Sequence, residues 1–382
     1  MKLILIISTA FLINFLFTPL FIRFLRKVNL GDEPGGRKIH QGFTPSMGGI
    51  VLFIASIITI VIWFEYEALK SLRFVLTAFL MVFLLGIRDD LVSLNPWVKL
   101  FGQIIAALMV ISIADIRLNN LYGLAGLYYI SEIYSYIFTI LIIVGLTNSF
   151  NLIDGMDGLA GSLMFIILSF LGWWFLSVGN EVYGIFSLIF ASATLSFLIF
   201  NWYPAKIFMG DTGSLTLGFI ISVFIIQFIE INGNIDHIES PFKFSGPFGA
   251  ALTLMAIPIF DTLRVVLKRL KNKKSPFSPD KSHIHHFLFR MGFSQKNTTG
   301  ILIIIQIMFV GILFLTKNIS DKYLLPLIVV FSLGLLLILE RITLKRLRKK
   351  VQSRQVNLNK SKSSSKIKFV DKEITNLNIF DN

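Results

Sequence analysis

Apolar residues in this chain neither alternate with polar ones nor mark a single helix face. They run on for about 20 residues at a time, the length that crosses a bilayer as a helix, and the polar residues collect in short intervals between the runs. This pattern predicts membrane-spanning helices rather than strands or amphipathic surface helices. Eleven spans can be placed, at 3–22, 47–64, 73–88, 97–115, 133–148, 159–178, 182–201, 214–230, 247–266, 299–316 and 323–340. The predicted fold class is an all-α polytopic integral membrane protein. Two spans carry polar breaks: the fifth runs into Thr147-Asn-Ser-Phe-Asn-Leu-Ile-Asp154, and the ninth contains Pro258 and Asp261. Such breaks persist in a membrane only where they face protein or a water-filled cavity.

Charge then orients the array. Threading the spans alternates the intervening loops between two sides, and 29 of the 36 Lys and Arg residues fall on one of them. The positive-inside rule makes that side cytoplasmic, with the N-terminus outside and the active face toward the cytoplasm of the plasma membrane. The first span is preceded by Lys2 alone and followed by five basic residues, the reverse of a secretory signal, so it is expected to remain in place. With 54% hydrophobic residues and short loops, residues 1–345 read as one integral domain. The Lys-, Ser- and Asn-rich stretch 351–382 is too polar to bury a core and reads as a disordered cytoplasmic tail. The net charge of +14 follows the cytoplasmic loops, so it is assigned to topology and to anionic membrane lipids. No aromatic interleaving or nucleic-acid module accompanies it, so nucleic acid is not an expected partner. Zero cysteines exclude disulfides and thiolate metal sites.

Candidate chemistry lies at the predicted cytoplasmic ends of the spans. Asp89-Asp90 follows the third, Asp154-Gly-Met-Asp157-Gly the fifth, Asp211 precedes the eighth and Asp261 lies within the ninth. One carboxylate at a helix end is usually a cap; several at one depth repel and raise one another's pKa unless a cation neutralises them. With hard oxygen ligands and no thiol, the expected cation is Mg2+, with Mn2+ as the alternative, and substrate phosphates would complete its shell. The glycines flanking Asp154, Asp157 and Asp211 (Gly155, Gly158, Gly210 and Gly213) read as loops that admit an anion close to the backbone, whereas Gly161 reads as helix packing. Two basic clusters complete the set: Arg37-Lys-Ile-His40 in the first cytoplasmic loop, and His283-Ile-His285-His286 after Ser275-Pro-Phe-Ser-Pro-Asp-Lys281. Three histidines in four residues suit zinc or a diphosphate; the surrounding Lys and Arg favour the diphosphate. Metal, carboxylates and cationic arms together suit phosphoryl transfer at a membrane surface.

Four motifs occur in order at fitting spacing: Gly86-Ile-Arg-Asp-Asp90, Asn148-Ser-Phe-Asn-Leu-Ile-Asp-Gly-Met-Asp-Gly-Leu-Ala160, Phe208-Met-Gly-Asp-Thr-Gly-Ser214 and His283-Ile-His-His286. Together they closely resemble the polyprenyl-phosphate N-acetylhexosamine-1-phosphate transferases, over roughly residues 1–345. The resemblance implies a magnesium-dependent enzyme that moves a sugar-1-phosphate from a UDP-N-acetylhexosamine to undecaprenyl phosphate and releases UMP. By the same resemblance Asp211 is the metal ligand with Asn151 as an additional one, and Asp89, Asp90, Asp154 and Asp157 are the active-site acids, Asp89 the better candidate base. It further implies that Lys99, Asn148, Asp157, His283, His285 and His286 bind substrate, with Arg37 and His40 beside them. A third acid often found three residues beyond the pair is here Ser93. The His loop resembles the branch that uses UDP-N-acetylglucosamine, for cell-envelope polymers, rather than the branch that uses UDP-muramoyl-pentapeptide. A homodimer is compatible with the resemblance. A lipid-linked sugar transporter is the competing class; it calls for polar groups reachable from both sides, and the chain has no internal repeat to suit one.

Overall fold

The computed structural model describes residues 1–32, 44–235, 241–275, 283–339 and 341–346. Within them the helices are α1 (Lys2–Lys27), α2 (Gly49–Trp63), α3 (Tyr66–Leu91), α4 (Pro96–Ser112), α5 (Glu132–Ile153), α6 (Leu159–Ser177) and α7 (Glu181–Asn201). They continue as α8 (Gly210–Asn234), α9 (Pro247–Leu254), α10 (Ala256–Lys271), α11 (Ile284–Arg290), α12 (Gln295–Leu315) and α13 (Asp321–Arg346). A two-residue antiparallel ribbon, β1 (Gly31–Asp32) with β2 (Thr44–Pro45), is the one sheet among the described residues. Each predicted span coincides with a helix or with the α9–α10 pair. Seven helices are individually long and apolar enough to cross a membrane, or eight if α9 and α10 count as one bent span; α2 and α4 are apolar but shorter.

Local chemistry explains several boundaries. α4 begins with Asn95, whose side chain accepts from Trp97 N, and with Pro96, whose missing N–H costs nothing in the first turn. Asn180 and Ser294 cap α7 and α12 in the same way. Hydroxyls inside the helices, such as Thr18, Ser56, Thr59, Thr147 and Thr194, donate to the carbonyl four residues back, which satisfies them where no water can.

Four boundaries move from their expected places, and each move bears on chemistry. α3 runs on to Leu91, so Asp89 and Asp90 sit in its last turn rather than after it. α5 runs to Ile153, so the break falls at Asp154, and Asn148 and Asn151 lie one turn apart on helix. α8 begins at Gly210, which puts Asp211 in a first helical turn. The ninth span breaks at Met255, where α9 and α10 meet at 78°, and not at Pro258, which is tolerated because it falls in the first turn of α10.

α8 is the most enclosed of the long apolar helices and packs against α3, α5 and α2. Its first turn approaches α2 and α3 through glycine. A Cβ on Gly49 would land on the backbone of Gly213, and one on Gly86 would meet the backbone of Asp211 and Thr212. Gly210 and Gly158 have positive φ of 73° and 70°. Gly158, Gly210 and Gly213 meet positive-φ or close-contact requirements of the backbone, and Gly155 alone of the four is exposed. Residues 45–49 add a backbone clamp: Phe208 N donates to Pro45 O, Gly48 N to Phe208 O and Gly49 N to Met209 O. At the core an aromatic layer (Phe79, Phe186, Phe219 and Phe224) joins α3, α7 and α8 by edge contacts.

Candidate active site

The C-terminal ends of α3 and α5, the N-terminal ends of α4 and α8 and the α11 turn meet at one end of the bundle. At their centre is the Lys99 ammonium. It is 3.0 Å from Asp89 Oδ2, in direct contact with Asp211 Oδ2 and 3.5 Å from Asn151 Oδ1. Asn151 is held with its oxygen toward that point because its amide donates to Asp211 Oδ1 and to Ser214 Oγ, each at 2.9 Å. Asp89 Oδ1 accepts from Leu94 N at 2.6 Å, which ties the α3–α4 turn to the site.

Asp90 has a different task. Its Oδ1 accepts from Asp211 N at 2.8 Å, and its Oδ2 accepts from Thr212 N at 2.9 Å and Thr212 Oγ1 at 2.5 Å. It is the N-cap of α8 supplied from another helix, occupying donors that would otherwise be orphaned and placing a negative charge at the positive end of the dipole. Asp157 is also committed: it is 3% exposed and its Oδ2 accepts from Ala205 N at 3.0 Å. Next to it Gly158 N donates to Asn201 Oδ1, and Asn201 donates in turn to Ile207 O. Of the two acids in this turn, Asp157 is thus bonded to backbone and Asp154 is not.

Asp154 is the exception among the grouped acids. Half-buried beyond the end of α5, its carboxylate makes no hydrogen bond or ion pair among the described residues. Burial pushes its pKa up to about 8, and the like charges of Asp211, Asp90 and Asp157 add to the rise.

The histidines approach from α11. Asp261 holds His283 Nδ1 at 2.9 Å; the His283 and His285 rings stack 5.6 Å apart at 5°, and His286 follows 4.4 Å from His285. The His285 ring lies over Gly155, where a Cβ would come within 3.2 Å of its Cε1 and Nε2. That contact joins the His loop to the Asp154 turn. Burial drives the His285 pKa down to about 3, helped by His286. Parallel stacked rings do not direct three nitrogens at one point, and among the described residues no group of three His, Cys, Asp or Glu side chains could hold a metal. The oxygens that do converge are the two carboxylates and the amide around Lys99. A shell of hard oxygens with a cation at its centre fits Mg2+ in donor chemistry, Asp211 and Asn151 being the expected ligands with Asp89 beside them.

Asn148 is brought near but is tied to Gln103 Oε1 at 2.6 Å and to Val144 O. Arg37 and His40 lie outside the described residues, as do 276–282 and the tail from 347. Four participants carried no assigned role in the sequence: Gln103, Ser214, Asn201 and Asp261. Gln103 and Asp261 are polar residues inside apolar spans, which is itself a signal; Ser214 and Asn201 have no such mark.

An apolar cavity of about 400 Å³ runs along α5, α8, α9 and α10, lined by Leu141, Gly145, Ser149, Ile225, Met255 and Thr262 among others. Its lining reaches Ser149 on α5 and Thr262 on α10.

A model of glycosyl transferase family 4 matches residues 72–229. The chain is 34% identical over 312 residues to the Bacillus subtilis (strain 168) protein named "probable undecaprenyl-phosphate N-acetylglucosaminyl 1-phosphate transferase", covering 79% of this chain and 83% of that one. It is 31% identical over 302 residues to the Escherichia coli (strain K12) undecaprenyl-phosphate alpha-N-acetylglucosaminyl 1-phosphate transferase, covering 77% and 79%. The Yersinia pestis protein of that name is 28% identical over 302 residues, covering 77% and 80%.

Proposed function

The chain belongs to glycosyl transferase family 4, and on that premise we propose that it transfers N-acetylglucosamine-1-phosphate from UDP-N-acetylglucosamine to undecaprenyl phosphate at the cytoplasmic face of the plasma membrane, releasing UMP. The observation that carries the reading is a shell of oxygens around a cation, with Asp154 and an apolar cavity on the same helix, α5. Such a site serves a substrate that is half hydrocarbon and half phosphate.

In this reading an oxygen of the lipid phosphate attacks the β-phosphorus of the donor. An O–P bond forms there, the bond from that phosphorus to the bridging oxygen breaks, and UMP leaves with the bridging oxygen. Asp154 takes the proton from the lipid phosphate, because its carboxylate has no hydrogen-bond partner among the described residues, whereas both oxygens of Asp89 are occupied. Asp89 and Lys99 instead orient the phosphates. Lys99 offers its ammonium to the transferring group, and Asp89 sets its position. Asp90 and Asp157 hold the helix end and the turn in register. Magnesium, held by Asp211 and Asn151 when bound, supplies the positive charge that a diphosphate needs in order to be approached by a second anion. The undecaprenyl chain lies along the apolar α5–α10 cavity, which matches the bilayer hydrocarbon it comes from and so gives shape fit rather than a hydrophobic gain.

Gathering of the acids at one end of the bundle speaks for chemistry there and against a path open to both sides. Eleven crossings with the N-terminus outside give this end the basic loops and are part of the same proposal. The test is purified protein with undecaprenyl phosphate, Mg2+ and a panel of UDP-sugars, scored for UMP and for the lipid product. UMP release matched by lipid-linked N-acetylglucosamine is expected. Folded protein that releases no UMP with any donor, or that moves lipid-linked sugar across vesicles instead, would refute the assignment.

A further inference from the structure

Asp261 is the one acid of the cytoplasmic set that the reaction above does not use, and both of its oxygens are bonded. It lies two turns into α10 at 2% exposure. Its Oδ1 accepts from Ile284 N at 2.7 Å and from Arg264 Nη2 at 3.2 Å, and its Oδ2 faces His283 Nδ1 at 2.9 Å. A backbone N–H and a guanidinium can only donate, and a carboxylate with a cationic donor on one oxygen is held ionised. Its other oxygen therefore accepts, and the proton between Asp261 and His283 belongs to Nδ1.

Resting on the transferase reading, we infer that Asp261 is a positioning residue: it fixes the ring tautomer and tilt of His283 and thereby holds the row of three imidazoles over the Asp154–Gly155 turn. The route is contiguous. His283 lies parallel to and offset from His285, His285 lies on Gly155, and His286 packs against His285 at the partly exposed end of the row. With His283 at 5% exposure and Arg264 packed over the Phe287 ring at 4.6 Å, no solvent is available to set the ring's orientation in place of the carboxylate. Asp261 bonds His283, the His285 ring lies parallel to it, and Arg264 sits on the other oxygen of Asp261. Fixing Nδ1–H toward Asp261 leaves Nε2 to accept from a neutral ring or donate from a charged one. This is the arrangement by which an outer carboxylate commonly commits an imidazole to one role.

Asp261→Asn tests this in the full-length protein. The amide keeps the shape and can still accept from Ile284 N, but it presents N–H to the ring and so favours the opposite tautomer. Four measurements apply. In 15N-histidine NMR, with His283 assigned by its loss in His283→Ala, the wild type should show Nδ1–H on His283 and Asp261→Asn should shift it to Nε2–H. Turnover should fall by about 10- to 100-fold, with KM for the UDP-sugar changed less than threefold. On the His283→Ala background the same substitution should cost less than twofold, because it acts through that ring. Asp261→Glu, which keeps an acceptor, should recover part of the turnover.

A wild-type His283 that carries its proton on Nε2 when neutral would overturn the inference even if Asp261→Asn does not fold. So would fully additive losses in the double variant, or unchanged turnover per folded molecule. Because the NMR arm uses no substrate, failure of the transferase reading would leave the tautomer result standing and distinguishable.

Discussion

Asp89 and Asp90 are adjacent in sequence and have opposite tasks, and substituting Asp90 separates them. Asp90→Ala removes three hydrogen bonds at once, from Asp211 N, Thr212 N and Thr212 Oγ1. The two backbone donors belong to the first turn of α8 and have no intrahelical partner. Loss of an N-cap costs about 0.5–2 kcal/mol, and leaving a half-buried donor unsatisfied costs about 1–3 kcal/mol. A loss of about 3 kcal/mol is therefore expected, since water at the helix end will replace part of what is lost. For the 382-residue chain, an unfolding entropy near 2.1 cal/mol/K per residue turns this into a fall of roughly 4 °C in the thermal midpoint. Asp90→Asn keeps one acceptor and should lose less than half as much. Because α8 carries Asp211, activity should fall with stability in the order Ala, then Asn. The assay is intrinsic-fluorescence melting of detergent-purified protein beside UMP release per folded molecule. Asp90→Ala with an unchanged midpoint and no turnover would refute the capping role and return Asp90 to the chemistry.

Three further outcomes follow from the same geometry. Asp211→Asn should leave the protein monodisperse but abolish Mn2+ binding seen by electron paramagnetic resonance, together with turnover; full activity in excess chelator would remove the metal from the site. Asp154 has a raised pKa, so its share of stability is fully present below about pH 4 and is lost as the pH climbs through about 8. The thermal midpoint of metal-free protein should fall across that window, and Asp154→Asn should flatten the fall while abolishing turnover; equal slopes in both proteins would refute the shift. Gly49→Val drives a side chain into the Gly213 backbone and should cost about 3 kcal/mol or prevent folding, whereas Gly300→Ala, with nothing within 4 Å, should be neutral by the same melting assay.

Apolar run lengths located the helices because a membrane requires every backbone group to be bonded within its own segment, so length and composition are local properties that the chain displays openly. The four motifs were equally legible, being short and ordered, and with them the family resemblance. Tertiary structure decided which acid does what. Asp90 is a cap because its partners are Asp211 and Thr212, more than 120 residues away. Asp157 is a brace because Ala205 comes to it. Lys99 is a hub because α3, α5 and α8 all deliver an oxygen to it. Helix ends gave the same ambiguity to the glycines, where packing and anion binding call for the same small residue and only the neighbour across the contact tells them apart. A carboxylate's role is set by which donors reach it and how much water is left. Neither is encoded beside it in the chain; both appear only when distant helix ends are brought to one depth.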